Sequence, residues 1–223
     1  GRVWHAFAAG LVLGSIPTVR YPEALFALGT GVFMAWHWRT HRRIVIHGLA
    51  AVGGALIPLV PLLVRNYFAF GAFWRTGYAL TNEQTGFGWS YFKEHAFTYL
   101  RQIPGDGVGL FFALGIVGLT WMCGTTRWRR AGLLLALLVV PTTVLYMFYY
   151  WTSGFMAAGT MRFLLPTFPV YILAGLWLLH ESAARVGRVL RAAVMVVVLA
   201  FQTLWGVAGI AGTGEPLFNQ KEI

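Results

Sequence analysis

Seven apolar segments separated by short polar turns dominate the sequence. They cover residues 3–19, 24–38, 44–64, 108–124, 131–151, about 162–180 and 190–211. An α-helix needs about 20 apolar residues to cross a bilayer, with a range of about 17 to 25, and most of these segments have that length. Because lipid cannot hydrogen-bond an open backbone, spanning segments of this kind form helices. The pattern predicts an all-α polytopic membrane protein, a bundle of about seven transmembrane helices.

One long segment, residues 65–107, is neither apolar throughout nor a short basic turn. Its second half places apolar side chains at helical spacing on one side, at Phe92, Ala96, Tyr99, Leu100 and Ile103. This pattern predicts an amphipathic helix that lies in the membrane interface and ends at Gly105 and Gly107. The expected organisation is transmembrane helices 1–3 in residues 1–64, an outward loop with the interfacial helix in 65–107, helices 4–7 in 108–211, and a polar tail in 212–223.

Charge predicts the orientation of these helices. If seven spans alternate across the membrane, ten arginines fall on one side, and the other side has seven cations and six of the seven acids. The ten arginines are Arg2, Arg39, Arg42, Arg43, Arg127, Arg129, Arg130, Arg185, Arg188 and Arg191. An excess of basic residues marks the cytoplasmic side. We therefore expect a multi-pass protein of the cell inner membrane, with Gly1 on the cytoplasmic side and the long loop in the periplasm or outside the cell.

Composition agrees with a membrane protein and argues against a nucleic-acid partner. Hydrophobic residues make up 58% of the chain and charged residues 11%, whereas soluble domains have about 25% charged residues. The net charge of +10 is spread over short turns between apolar segments, and a nucleic-acid interface would be a basic surface on a soluble module. The single cysteine, Cys123, excludes an internal disulfide and a cysteine metal site.

Three outward arginines, Arg20, Arg65 and Arg162, stand at the mouths of spans rather than in water-exposed turns. A charge at bilayer depth costs about 2.5 to 3.5 kcal/mol and usually has a partner or a function. Each could simply extend its head to lipid phosphates or water. Together they predict a cationic pocket for a phosphate or pyrophosphate, because the arginine fork matches phosphate oxygens.

Other residues have simpler interpretations. Glu23 is expected to pair with Arg20 or to cap a helix start. His95 is expected at the surface of the interfacial helix, and Gly53 and Gly54 are expected to mark close helix packing rather than a phosphate loop.

Several short motifs resemble bacterial membrane glycosyltransferases of the GT-C fold, in particular the protein O-mannosyltransferase and lipid A aminoarabinose transferase type, family 39. The motifs are Thr18-Val19-Arg20-Tyr21-Pro22, Arg65-Asn66-Tyr67-x-x-Phe70-Gly71, Thr76-Gly77-Tyr78, Asn82-Glu83-Gln84-Thr85 and Arg162-Phe163-Leu164-Leu165-Pro166-x-x-Pro169. They occur in this order, all on the predicted outward face, and the resemblance covers most of the chain.

The resemblance implies transfer of a sugar from a polyprenyl-phosphate carrier to an acceptor at the outer membrane face, where the acceptor is a glycan, lipid or protein. In the family the key acidic residue lies in the first outward loop, so the chain is expected to be the C-terminal part, inactive alone and without a catalytic residue of its own. By motif position, Arg20, Arg65 and Arg162 are expected to bind the carrier phosphate, and Tyr21, Asn66, Tyr78 and Glu83 to line the pocket. No cofactor is identifiable, although some members of the family use a divalent metal.

Two other classes of function stay open from the residues alone. A transporter or flippase for a lipid-linked or anionic substrate would have paired ionisable residues or broken helices near the bilayer midplane. Four prolines could break helices in this way, namely Pro17, Pro58, Pro61 and Pro141. In a non-catalytic membrane scaffold the outward arginines would have no ligand.

Overall fold

The computed structural model describes most of the chain. It covers residues 3–38, 43–77, 80, 86–149, 161, 163–183 and 187–212, without the side chains of 38, 106, 188, 191 and 208–212. All statements below concern these residues.

The described part of the chain is all-helical. It forms eight α-helices: α1 (Val3–Val19), α2 (Ala24–Trp38), α3 (Ile44–Phe70), α4 (Trp89–Gln102), α5 (Leu110–Gly124), α6 (Arg129–Met147), α7 (Phe168–Ser182) and α8 (Arg188–Gly212). Two 3-10 turns, Tyr21–Glu23 and Leu165–Thr167, precede α2 and α7, and a π-helical turn, Ile103–Gly107, joins α4 to α5. The predicted all-α class is confirmed, and most helix bounds lie within a few residues of the predicted ones.

The third helix is longer than predicted. It was expected to end at residue 64, but α3 continues to Phe70, so that Arg65 and Asn66 are helical. Arg65 and Asn66 end the apolar run, but they do not end the helix. The helix stops only at Gly71, where φ is 77° and the backbone N–H donates to the carbonyl of Tyr67 at 2.9 Å. This left-handed glycine is a common helix C-terminus.

By length and composition, α3 and α6 could each cross a membrane. A third span would be counted if the segment through α4 and α5, bent by 107°, formed one broken span. The helices α2, α5 and α7 have 15 residues each, about 22 Å at 1.5 Å per residue, which is shorter than a hydrocarbon core of about 30 Å. Membrane association is therefore supported, while the seven spans and the interfacial position of α4 stay predictions.

Small residues allow the helices to approach closely. Helix α1 buries Ala6, Gly10 and Gly14, four residues apart, against α3. A Cβ atom added at Gly14 would lie 2.5 Å from the carbonyl oxygen of Ala55. On α3, Gly54 faces α1 in the same way, whereas a Cβ at Gly53 would meet no atom within 4 Å. The predicted packing role is confirmed for Gly54 and wrong for Gly53.

The hydrophobic core lies around α5, α6 and α7. Helix α5 packs on α7, where a Cβ at Gly115 would come 2.6 Å from the carbonyl oxygen of Tyr171. Tyr99 of α4 and Ile103 of the following turn are fully buried against this core, with Leu164 just before α7. Leu100, expected on the same side of α4, is 46% exposed. The core therefore holds α4 and the start of α7 at one end of the bundle.

Candidate functional site

Helices α1, α2 and α3 enclose a groove of about 530 Å³. Apolar or small residues form its walls: Gly10, Leu13, Gly14, Pro17, Ala24, Ala27, Leu28, Ala51, Val52, Ala55, Leu59, Leu62, Leu63, Phe73 and Trp74. The polar lining residues are Tyr21 in the turn after α1, Asn66 near the end of α3, and Thr76 after α3. They lie together at one end, called here the polar end of the groove. The groove can therefore accept a long apolar group with a polar terminus.

Asn66 holds the polar end together. Its side chain is 2% exposed. The hydroxyl of Tyr21 donates to Oδ1 of Asn66 at 3.1 Å, and Nδ2 of Asn66 donates to the carbonyl of Phe73 at 3.4 Å. One amide thus joins the end of α3 to the turn before α2 and to the segment after α3. Tyr21 and Asn66, both predicted as lining residues, are brought into contact, although their role toward a ligand stays a prediction.

Arg20 precedes Tyr21 and contacts both Glu23 and Phe163. Its Nη1 atom is 3.1 Å from Oε1 of Glu23, which confirms the predicted pairing. Its guanidinium carbon also lies 5.6 Å from the ring centroid of Phe163, a cation–π contact. The Arg20 motif and the motif that precedes α7 are therefore neighbours in the structure, while their position on the outer side stays a prediction.

Glu23 is an unusual carboxyl group because it is buried. It is 8% exposed, and neither of its oxygens accepts a hydrogen bond from a described residue, since the ion pair with Arg20 lacks hydrogen-bond geometry. Desolvation raises the pKa of Glu23 above its usual value of 4.5, although the charge of Arg20 acts in the opposite direction. The folded protein therefore favours the protonated form of this group more than the unfolded chain does.

This carboxyl group should make stability depend on pH. Because the pKa of Glu23 is raised in the folded state, we expect the free energy of unfolding to fall as the pH rises above 4.5 and through the raised value, and then to become constant for this group. The measurement is unfolding in detergent micelles from about pH 4 to about pH 8. Glu23→Gln should remove this part of the slope. Equal slopes in the two proteins would contradict the assignment.

The remaining predicted site residues are not part of this cluster. Arg65 is exposed, and it forms no hydrogen bond or ion pair with a described residue. Consecutive helical residues differ by about 100° around the axis, so Arg65 turns outward where Asn66 turns inward. Arg162, Tyr78 and Glu83 lie outside the described residues. The predicted convergence of three guanidinium groups is therefore not shown.

His95 was expected at the surface, and this expectation is wrong. The side chain is 6% exposed, and its Nδ1 atom lies 3.0 Å from the carbonyl oxygen of Tyr149, just after α6. This contact holds α4 against the end of α6, beside Phe163. The sequence did contain a signal, because His95 lies four residues before Tyr99 and therefore on the same helical face.

Metal ligands do not cluster in the described ranges, where no group of three or more His, Cys, Asp or Glu side chains is placed to hold an ion. What the residues offer is an arginine, a buried carboxyl group and a Tyr–Asn pair beside an apolar groove. Such a set can bind an anionic group attached to an apolar chain.

Comparison with known proteins gives no relative. No protein-family model, no curated protein and no solved structure matches this chain.

Proposed function

We propose that this chain is part of an integral-membrane glycosyltransferase that transfers a sugar from a polyprenyl-phosphate carrier to an acceptor at the outer face of the membrane. The observation that carries the proposal is the groove between α1, α2 and α3, which is apolar along its length and polar at the end beside Arg20. A polyprenyl phosphate has the same division into a long apolar tail and an anionic head. The motif resemblance supports the same substrate.

In this proposal the tail lies along the apolar walls of the groove and the phosphate lies near Arg20. An arginine can donate two parallel hydrogen bonds to phosphate oxygens, and it can stabilise the charge that develops on the phosphate as it leaves the sugar. Tyr21 and Asn66 fix the shape of the polar end. Arg65 and Arg162 are proposed as further phosphate ligands, with Tyr78 and Glu83 lining the pocket. The proposal assigns neither the general base nor a metal ligand to any of these residues.

The proposed topography is that of a multi-pass inner-membrane protein with seven spans and this site on the outer side. Helix α3, with 27 residues, is long enough to cross the bilayer. The bend of 107° between α4 and α5 is the orientation expected of an interfacial helix beside a crossing one. Both observations support the arrangement.

A transporter for a lipid-linked anion is the second candidate, and one observation favours it. Arg20 and the buried Glu23 form a pair of ionisable groups, which is a feature of proton-coupled and ion-coupled transporters. A transporter would move the carrier in vesicles without forming a glycosylated product, whereas a transferase would form one.

The test of the proposal is binding of a polyprenyl phosphate that carries a photoactivatable group near the phosphate. Hydrogen bonds to charged groups contribute about 1.5–3 kcal/mol, so we expect Arg20→Ala to weaken binding by about tenfold or more. Arg43→Ala, at an exposed position just before α3, should leave binding unchanged. Equal labelling of the two variants would contradict the assignment of the phosphate site.

The tail can be tested separately with a matched pair on α3. Leu59 lines the groove, whereas Leu56 is 47% exposed and does not. Leu59→Trp should therefore reduce labelling, and Leu56→Trp should not. If both variants retain full labelling while Arg20→Ala loses it, the tail lies elsewhere.

A further inference from the structure

A second group of polar atoms lies at the turn between α5 and α6, whose residues do not line the groove. The indole rings of Trp128, in this turn, and Trp177, on α7, form an edge-to-face pair with centroids 5.8 Å apart. Both indole nitrogens are buried, and neither has a hydrogen-bond partner among the described residues. Buried donors of this kind are normally paired. Two of them in one place indicate an acceptor that the described residues do not supply.

Three arginines surround this turn. Arg127, Arg129 and Arg130 are all exposed, and the guanidinium carbon of Arg127 lies 5.4 Å from the centroid of the Trp128 ring. Within the described ranges the ion pairs are Arg20–Glu23 and His95–Glu94, so none of these arginines is paired with a described carboxylate. Glu181, one turn after Trp177 on α7, makes no such pair either. The turn therefore combines several donors, none of which is paired with a described carboxylate.

We propose that this turn is a binding site for a phosphate-bearing anion, namely the headgroup of an anionic phospholipid. Phosphate oxygens only accept hydrogen bonds, which matches a site made of guanidinium and indole N–H donors. Three arginines also discriminate against a zwitterionic headgroup, because its ammonium group would lie among positive charges. Basic pockets between membrane helices bind anionic headgroups in this way. The indole pair adds two buried N–H donors beside these arginines.

The site is independent of the proposed transferase function. Arg20 and Tyr21 lie between α1 and α2, and Asn66 lies near the end of α3. Trp128 lies between α5 and α6, and Trp177 lies near the end of α7. Loss of one site should therefore leave ligand binding at the other unchanged.

The experiment uses the full chain in detergent micelles, titrated with phosphatidylglycerol, with phosphatidylcholine and with inorganic phosphate, and followed by native mass spectrometry. We expect the wild type to retain phosphatidylglycerol about tenfold more strongly than phosphatidylcholine. Trp177→Phe keeps an aromatic ring but removes one N–H, and it should reduce this preference. The triple variant Arg127→Gln, Arg129→Gln, Arg130→Gln changes only exposed side chains and should abolish it.

Two control variants separate the site from general surface effects. Trp121→Phe alters a neighbouring indole that is 51% exposed, and Arg43→Gln removes an exposed arginine before α3; both should keep the preference for phosphatidylglycerol. Equal retention of the two lipids by the wild type, or equal losses in the controls and the site variants, would overturn the proposal. Displacement of phosphatidylglycerol by millimolar phosphate would support the same phosphate chemistry with free phosphate as a source, and no displacement would support the lipid as the ligand.

Discussion

Gly54→Ala is expected to lower the free energy of unfolding by about 1–3 kcal/mol, because it adds an atom to a helix contact that has no space for one. A Cβ at residue 54 would meet the carbonyl oxygen of Phe7 and would lie 2.9 Å from the backbone nitrogen of Leu11. Both atoms belong to the backbone of α1, so the clash cannot be relieved by rotating a side chain. The helices α1 and α3 would have to separate along the wall of the groove.

The matched control is the preceding residue on the same helix. Gly53→Ala places its Cβ in open space, and replacing a helical glycine by alanine stabilises a helix by up to about 1 kcal/mol. The two variants should therefore differ by about 1–4 kcal/mol in denaturant unfolding in micelles, with Gly53→Ala the more stable. If both variants lose the same amount, α1 and α3 are not packed backbone to backbone.

How far the fold could be predicted depended on what ends each segment. The bounds of α1 and α2 were predictable because a polar turn from Arg20 to Glu23 and the basic turn after Trp38 interrupt the apolar runs. The end of α3 was missed because Arg65 and Asn66 stop the apolar run and not the helix. The residue that does stop it, Gly71, was present in the sequence as a typical helix C-terminus.

The candidate site was predictable only where a motif grouped its members. Tyr21 and Asn66 were expected to share a pocket, and the structure joins them by a hydrogen bond. The opposite exposure of Arg65 and Asn66 could not be predicted, because it depends on which face of α3 meets the turn before α2. The burial of His95 likewise depends on a partner distant in sequence, Tyr149.

Asn66→Leu is expected to be among the most destabilising substitutions at the polar end of the groove. Leucine has a similar size but cannot accept from the hydroxyl of Tyr21 or donate to the carbonyl of Phe73. A buried polar group left without a partner costs about 1–3 kcal/mol, so the loss of two partners should lower the free energy of unfolding by about 2–4 kcal/mol. Arg65→Leu makes the same replacement at the adjacent exposed position and should change stability by less than about 0.5 kcal/mol.

A double-mutant cycle with Tyr21→Phe separates the hydrogen bond from the rest of this cost. Tyr21→Phe alone should lower the free energy of unfolding by about 0.5–1.5 kcal/mol, and in the double variant the two losses should fall short of their sum by about 1 kcal/mol, because the shared bond is counted once. The measurement is denaturant unfolding of the four proteins in the same detergent. Strict additivity would mean that Tyr21 and Asn66 do not interact, and the polar end of the groove would then have no fixed shape with which to hold an anionic head beside Arg20.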